Sequence, residues 1–231
     1  MGRRGRNGHE PLLRGRFVTF EGGEGAGKST QVRRLADALA RTGHAPVVTR
    51  EPGGSPAAEA IRNILLSGHA REAGPLVETM LFYAARQDHL ETVIRPALAA
   101  GRWVISDRFA DSTRAYQGAA GGVPSATLDA LDALVIGETR PDLTLILDLP
   151  PEAGLARARS RSAAGSHSVA GGRGTADRFE SEDLGFHRAL RAALLAIAAR
   201  EPGRCAVVDA SRPVDEVAEA IRRVVETRLG P

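Results

Sequence analysis

The run Gly22-Gly23-Glu24-Gly25-Ala26-Gly27-Lys28-Ser29 constrains this chain more than any other stretch. It fits the pattern G-x-x-x-x-G-K-[ST] and lies between the apolar run Phe17-Val18-Thr19-Phe20-Glu21 and a segment of helical periodicity. That is the strand–loop–helix context of a phosphate-binding loop. Glycines let successive backbone N–H groups turn inward round an anion, and the following helix adds the positive end of its dipole. Lys28 is then expected to reach the outer phosphates and the Ser29 hydroxyl to hold Mg²⁺. Composition argues against a chance glycine-rich turn. Of 31 basic residues 30 are arginine, and Lys28 is the only lysine. A lone lysine there marks a place that needs a compact ammonium rather than a planar guanidinium.

The apolar runs that follow read as short buried strands: Val47-Val48-Thr49, Trp103-Val104-Ile105-Ser106, Leu143-Thr144-Leu145-Ile146-Leu147 and Ala206-Val207-Val208-Asp209. Helical spacing appears at Val32, Leu35, Ala36 and Leu39, from Pro75 to Ala99, around Leu128 to Val135, and from Val217 to Val225. Near-continuous apolar strands alternating with helices predict an α/β chain with a parallel sheet covered on both faces. Ligands of such sheets sit beyond the carboxyl ends of the strands. Gly22 to Ser29, Arg50 to Gly54 and Asp107 to Phe109 all follow expected strand ends, which brings them together without any motif.

A chain of 231 residues suits one such domain, and its sequence pI near 9.7 misdescribes the body. Residues 1–16 carry Arg3, Arg4, Arg6, Arg14 and Arg16 against Glu10, while the whole chain has a formal net charge of only +3. Residues 1–15 are therefore read as a basic flexible tail and 16–231 as the folded domain. With 4% aromatic residues, the near-neutral body is not expected to bind nucleic acid. No apolar run approaches the roughly 20 residues that span a bilayer, and no apolar region follows the basic start as in a secretory signal. The single Cys205 excludes an intramolecular disulfide and fits a reducing cytoplasm, and its apolar setting predicts a buried, inert thiol. One segment breaks the pattern. From Ser160 to Ala176 there is almost no large apolar residue, so about 157–178 is expected to form a mobile lid. It carries Arg157, Arg159, Arg161, Arg173 and Arg178 against Asp177.

Two constellations add chemistry. Asp107, at a strand end, would orient Mg²⁺ or its waters, and Arg108 beside it would clamp a phosphate. Phe82 and Arg86, four apart, share a helix face that suits a flat heterocycle, one side chain stacking and the other donating to an exocyclic oxygen.

With these residues in place, the sequence resembles the bacterial thymidylate kinases over about residues 16–228. The matching stretches are Phe20 to Thr30, Thr49-Arg50-Glu51-Pro52-Gly53-Gly54, Leu81-Phe82-Tyr83-Ala84-Ala85-Arg86 and Asp107-Arg108-Phe109-Ala110-Asp111-Ser112-Thr113. To these belong Ala115-Tyr116-Gln117-Gly118, Asp177-Arg178-Phe179-Glu180 and Val208-Asp209-Ala210-Ser211. The resemblance implies a three-layer nucleoside-monophosphate-kinase fold with a five-stranded parallel sheet, usually as a homodimer. It implies ATP on Gly22, Gly23, Glu24, Gly25, Ala26, Gly27, Lys28, Ser29 and Thr30, with Mg²⁺ at Ser29 and Asp107. It assigns Phe82 to stacking on thymine, Pro52 to its edge and Arg86 to its carbonyl, with Ser112 and Gln117 near the base. Tyr116 would lie against the deoxyribose, Glu24 toward the 3′-hydroxyl, Arg108 on the monophosphate, and the region after Ser211 beside adenine. Three departures stand out. Phe109 replaces the usual tyrosine, Gly121 stands where many members have arginine, and the lid is longer than usual.

The expected reaction is ATP + dTMP → ADP + dTDP. The acceptor is already an anionic oxygen, so no base is required; the problem is bringing a donor of roughly −4 and an acceptor of roughly −2 together. Mg²⁺, Lys28 and Arg108 supply countercharge. Positions 22 to 27 lack arginine, so a transition-state arginine must come from elsewhere, and Arg157, Arg159 and Arg161 are the nearest supply. In a helix Arg157 and Arg161 would share a face with Arg159 opposite; in an extended segment all three would share one. A rival, a kinase with a hydroxyl acceptor, would need a base, for which Glu51 and Asp111 are available. A guanine-reading switch is excluded, since its Asn-Lys-x-Asp motif needs a second lysine.

Overall fold

A computed structural model describes residues 15–163 and 182–230, the side chains at 69, 71 and 161–163 apart. The expectations for the tail, for Arg173, Arg178 and Asp177-Arg178-Phe179-Glu180, and for the Arg161 side chain lie outside the described residues. In chain order the elements are β1 (Phe17–Glu21), α1 (Lys28–Arg41), β2 (Val47–Arg50), α2 (Pro56–Leu66), α3 (His69–Glu72) and α4 (Pro75–His89). A π-helical stretch, Leu90–Ile94, joins α4 to α5 (Arg95–Ala99), followed by β3 (Val104–Asp107) and α6 (Ala110–Thr113). A second π-helical stretch, Arg114–Ala120, precedes α7 (Ser125–Val135), β4 (Leu143–Asp148), α8 (Pro151–Ala163), α9 (Leu184–Arg200), β5 (Cys205–Asp209) and α10 (Val214–Leu229).

The five strands form one sheet in the order β2-β3-β1-β4-β5, every neighbouring pair parallel. This is the expected α/β architecture. Because side chains alternate across a strand, β1 feeds both layers. Val18 and Phe20 pack with Val32, Leu35 and Leu39 of α1 and Val217, Ile221 and Val225 of α10. Phe17 faces the opposite layer with Tyr83, Leu90, Ile94 and Leu128, and α9 closes the same side through Leu190, Leu194 and Ile197. Thr19 also turns inward, and its hydroxyl meets that of Thr144 at 2.9 Å, so a polar pair is buried without loss of hydrogen bonds. Cys205 is buried, and burial pushes its thiol up to about 11, as an inert thiol requires.

The single helix expected from Pro75 to Ala99 is continuous but not uniform. Pro96 has no N–H to give and its ring crowds the carbonyl of Thr92 four residues back, and the wider π turn from Leu90 to Ile94 accommodates it. Helices α2, α3, α6 and α9 have no counterpart in the sequence reading, and α8 carries helix through Ala163, into the stretch from Ser160 expected to be a mobile loop. No described helix is long and apolar enough to cross a membrane.

Candidate active site

Strand β1 ends at the central position of the sheet, and the chain turns at once into the phosphate loop. Gly25 lies at φ 70°, and a Cβ there would stand 2.0 Å from the Gly154 carbonyl oxygen in the first turns of α8. A Cβ at Gly154 would in turn stand 2.2 Å from the Glu24 carbonyl oxygen, so the loop and α8 meet backbone to backbone. Lys28, nearly buried at the start of α1, donates from Nζ to the carbonyls of Gly22 and Gly23, both at 3.0 Å. Burial, and after it the charge of Arg108, hold its pKa below the usual lysine range. Ser29 is exposed beside it, and Thr30 continues the helix with its N–H on the Gly27 carbonyl.

Arg108 follows β3 and is the only described non-glycine residue with positive φ, at 71°. Such a conformation is held only where the surroundings impose it. Its N–H is tied to the Phe20 carbonyl and its own carbonyl accepts from the Ser106 hydroxyl, which turns the side chain toward the phosphate loop. There the guanidinium donates to Glu24 Oε1 at 2.7 Å and lies 4.9 Å over the Tyr116 ring. The Tyr116 hydroxyl donates to the same Glu24 oxygen at 2.8 Å. Burial alone would raise the Glu24 pKa, but Arg108, Lys28 and Tyr116 bring it down to about 2. Lys28, Arg108, Glu24 and Tyr116 are thus brought together as expected.

At the other end of the site Arg86 is 2% exposed. Its Nε donates to Glu51 Oε2 at 2.8 Å and its Nη2 to Thr113 Oγ1 at 2.9 Å, while the buried Nη1 has no partner among the described residues. Phe82, four residues before Arg86, and Pro52, next to Glu51, are half-buried, and the Pro52 carbonyl accepts from Arg62. Gln117 is buried, with its amide donating to Glu78 at 3.0 Å. The Ser112 hydroxyl donates to Glu21 Oε2 and accepts from Arg108 Nη1 at 3.3 Å. Phe109 is buried in an apolar cluster, edge-on to Phe17 at 5.0 Å and with the Arg86 guanidinium 5.2 Å from its ring.

Glu21, ending β1, escaped the sequence reading as a functional residue. It accepts from the Phe109 N–H at 2.9 Å and from Ser112, joining the two site-bearing loops. Burial, and after it the nearby Asp111 charge, raise its pKa to about 7. Asp111 is clamped by both terminal nitrogens of Arg204, at 2.6 and 2.9 Å, across 93 residues of sequence. Nothing in a single sequence marks that pairing. For Glu51 a signal existed, its place inside the Arg-Glu-Pro-Gly-Gly stretch.

The chain is helical where Arg157 and Arg159 stand, so these two point to opposite sides of α8 rather than sharing a face as in an extended segment. Arg157 donates to the carbonyls of Ala210 at 3.0 Å and Ser211 at 3.4 Å, on the loop expected to border adenine. Arg159 is exposed. Asp107, half-buried at the end of β3, favours the charged form of Lys28. An exposed hydroxyl at the first turn of α1 and a strand-end carboxylate suit Mg²⁺, which takes one or two protein ligands and completes its shell with phosphates and water. The described residues contain no group of three or more His, Cys, Asp or Glu that would make a dedicated cage.

The thymidylate kinase family model matches residues 20–221. A thymidylate kinase of Caulobacter vibrioides is 57% identical over 219 residues, covering 95% of this chain and all of that protein. One of Bradyrhizobium diazoefficiens is 53% identical over 94% of this chain and 92% of that protein. Among solved structures, the thymidylate kinase from Ehrlichia chaffeensis superposes with a TM-score of 0.71 at 31% identity, covering 92% of this chain and 99% of that one.

Proposed function

This chain belongs to the thymidylate kinase family, and from that premise we infer that it transfers the terminal phosphoryl group of ATP to dTMP, giving ADP and dTDP. The observation that carries the substrate reading is Arg86: a buried guanidinium with two nitrogens engaged and one without a partner is built to donate to a carbonyl. Phe82 stacks on the thymine, Pro52 limits its edge, and Gln117 and Ser112 line its surroundings. Tyr116 packs against the deoxyribose, while Glu24, held by Tyr116 and Arg108, faces the 3′-hydroxyl side.

Arg108 holds the monophosphate, and its fixed backbone makes the guanidinium an ordered clamp before substrate arrives. Gly22 to Thr30 cradle ATP, with Lys28 exchanging its carbonyl partners for the outer phosphates. Mg²⁺ at Ser29 and Asp107 supplies countercharge to the phosphates when bound. The segment from about 157 to 178 acts as the lid. Arg157, Arg159 and Arg161 are its candidates for the transferring group, and the contacts of Arg157 favour an additional hold on the adenine side. The rival hydroxyl-accepting kinase loses its bases here. Glu51 is committed to Arg86 and His89, and Asp111 to Arg204, so neither carboxylate is available to take a proton.

The chain acts as a homodimer in a reducing cytoplasm. Ile64 on α2 and Leu76, Val77 and Met80 on the neighbouring α4 leave large apolar side chains exposed, which a second copy would cover, and the unpaired Cys205 suits that compartment. Sedimentation measures the first. The reaction is tested by coupled assay with ATP and each of dTMP, dUMP, UMP and CMP. The highest kcat/KM is expected for dTMP, and equal activity on all four would refute the base-reading role of Arg86.

A further inference from the structure

Behind Arg86 runs a line of side chains, buried at Glu51 and His89 and half-buried at Thr49, that phosphoryl transfer does not use. Glu51 presents one oxygen to Arg86 Nε and the other to His89 Nδ1, at 2.8 and 3.0 Å. His89 Nε2 then meets the Thr49 hydroxyl at 2.6 Å. Glu51 and His89 are 6% and 0% exposed. Arg86 and His89 lie three apart on α4, hence on one face, which lets a single carboxylate bridge both. A carboxylate only accepts, so Nδ1 donates to Glu51 and Nε2 is left to face the hydroxyl. A ring flip would break both contacts, so the ring has one orientation. Gly54 closes the arrangement. Its φ is 89°, and a Cβ there would stand 2.4 Å from Thr49 Oγ1 and 2.6 Å from His89 Nε2.

The guanidinium is fixed in every direction but one. Glu51 and Thr113 hold it in its plane, and the rings of Tyr83 and Phe109 lie 4.9 and 5.2 Å from its centre. We propose that Glu51 and His89 are positioning residues for base recognition, the line Thr49–His89–Glu51 fixing Arg86 so that its unpartnered Nη1 is ready for the pyrimidine carbonyl. This rests on the reading of Arg86 as the contact to the base. An arginine ordered beforehand loses less freedom when it binds, so the line acts on dTMP affinity and leaves ATP alone.

The experiment compares His89→Ala, His89→Asn and His89→Gln by the Michaelis constants for dTMP and ATP, with thermal melting as a check on folding. Asparagine places an amide nitrogen near the position of Nδ1 and keeps the bond to Glu51; glutamine reaches only the Nε2 position. The expected result is a rise of about tenfold in the dTMP constant for His89→Ala and His89→Gln, the size of one lost hydrogen bond to a charged group. His89→Asn should recover to within about threefold of the parent. In all three the ATP constant should stay within about twofold. Combining His89→Ala with Arg86→Ala should be no worse than Arg86→Ala alone. If His89→Ala does not fold, the asparagine–glutamine contrast carries the test. Equal dTMP constants for those two variants, or parallel rises for both substrates, would overturn the proposal. An Arg86→Ala variant with an unchanged dTMP constant would instead defeat the base reading on which it stands.

Discussion

The two ends of the proposed site hold their cations in different ways. At the base end Arg86 is locked by a buried carboxylate and a hydroxyl between two aromatic rings. At the phosphate end Lys28 rests on two backbone carbonyls, and so does Arg157, while Arg108 shares the Glu24 carboxylate with Tyr116. A neutral base offers only a few hydrogen bonds, so its reader must be in position before it arrives. A phosphate chain brings several charges and can draw a cation away from neutral carbonyl oxygens. The contrast is between a fixed reader and, in Lys28 and Arg157, countercharges that can be re-partnered.

The sharpest way to break that contrast is at the lid root. One alanine substitution among Arg157, Arg159 and Arg161 should lower kcat by roughly 10³-fold with both Michaelis constants little changed, as for a charge used in the transition state. If all three keep kcat within about tenfold of the parent, the phosphate end relies on Arg108 instead. Next in size, Lys28→Arg should lower kcat by about 10²-fold or more although the charge is kept, because a guanidinium cannot occupy the narrow place between the Gly22 and Gly23 carbonyls. Near-normal turnover would mean that the loop tolerates any cation.

At the base end, Phe82→Ala and Arg86→Ala should raise the dTMP Michaelis constant by about 10- to 100-fold and the ATP constant far less, the range for a stacking contact or a charged hydrogen bond. Equal effects on both substrates would erase the difference between the two ends. The smallest effect concerns Glu21, which joins the end of β1 to the segment carrying Phe109 and Ser112. Its folded pKa, about 7, lies above the ordinary 4.5, so the native state holds the extra proton between those values. Its contribution to stability is complete below about 4.5 and is lost as pH rises through 7. Glu21→Gln should therefore gain on the parent by about 2–6 °C in Tm between pH 5 and pH 8. A Tm difference independent of pH would show that Glu21 carries the same charge throughout.

What the sequence made legible is what local pattern determines. The loop from Gly22 to Ser29 and the apolar run Leu143 to Leu147 announce themselves within a few residues, and the strand-end rule then gathers Arg50 to Gly54 and Asp107 to Phe109 into one site. Helix α9 did not, because its alanine-rich run follows the Gly/Ser/Ala-rich segment with little contrast between its faces. The Ser55-Pro56 start of α2 was a usable signal that went unread. The environment of Arg86 was beyond any window. Glu51 lies 35 residues away and Thr113 lies 27 away, and only the folded sheet brings them to one guanidinium. Phe82 and Arg86 do lie four apart on one helix, α4, but their spacing gave no sign of how deeply Arg86 is buried.

The contact between Gly25 and Gly154 gives the molecule a mechanical property. Helix α8 bears directly on the nucleotide loop through bare backbone, with no side chain between them to flex or repack. Gly154 lies one turn before Arg157, so the point of bearing and the arm that reaches the Ala210 and Ser211 carbonyls belong to one rigid rod. A displacement of the loop at Gly25 would therefore pass to the first turns of α8 with no side chain to absorb it, and a single methyl group at either glycine would wedge the two backbones apart.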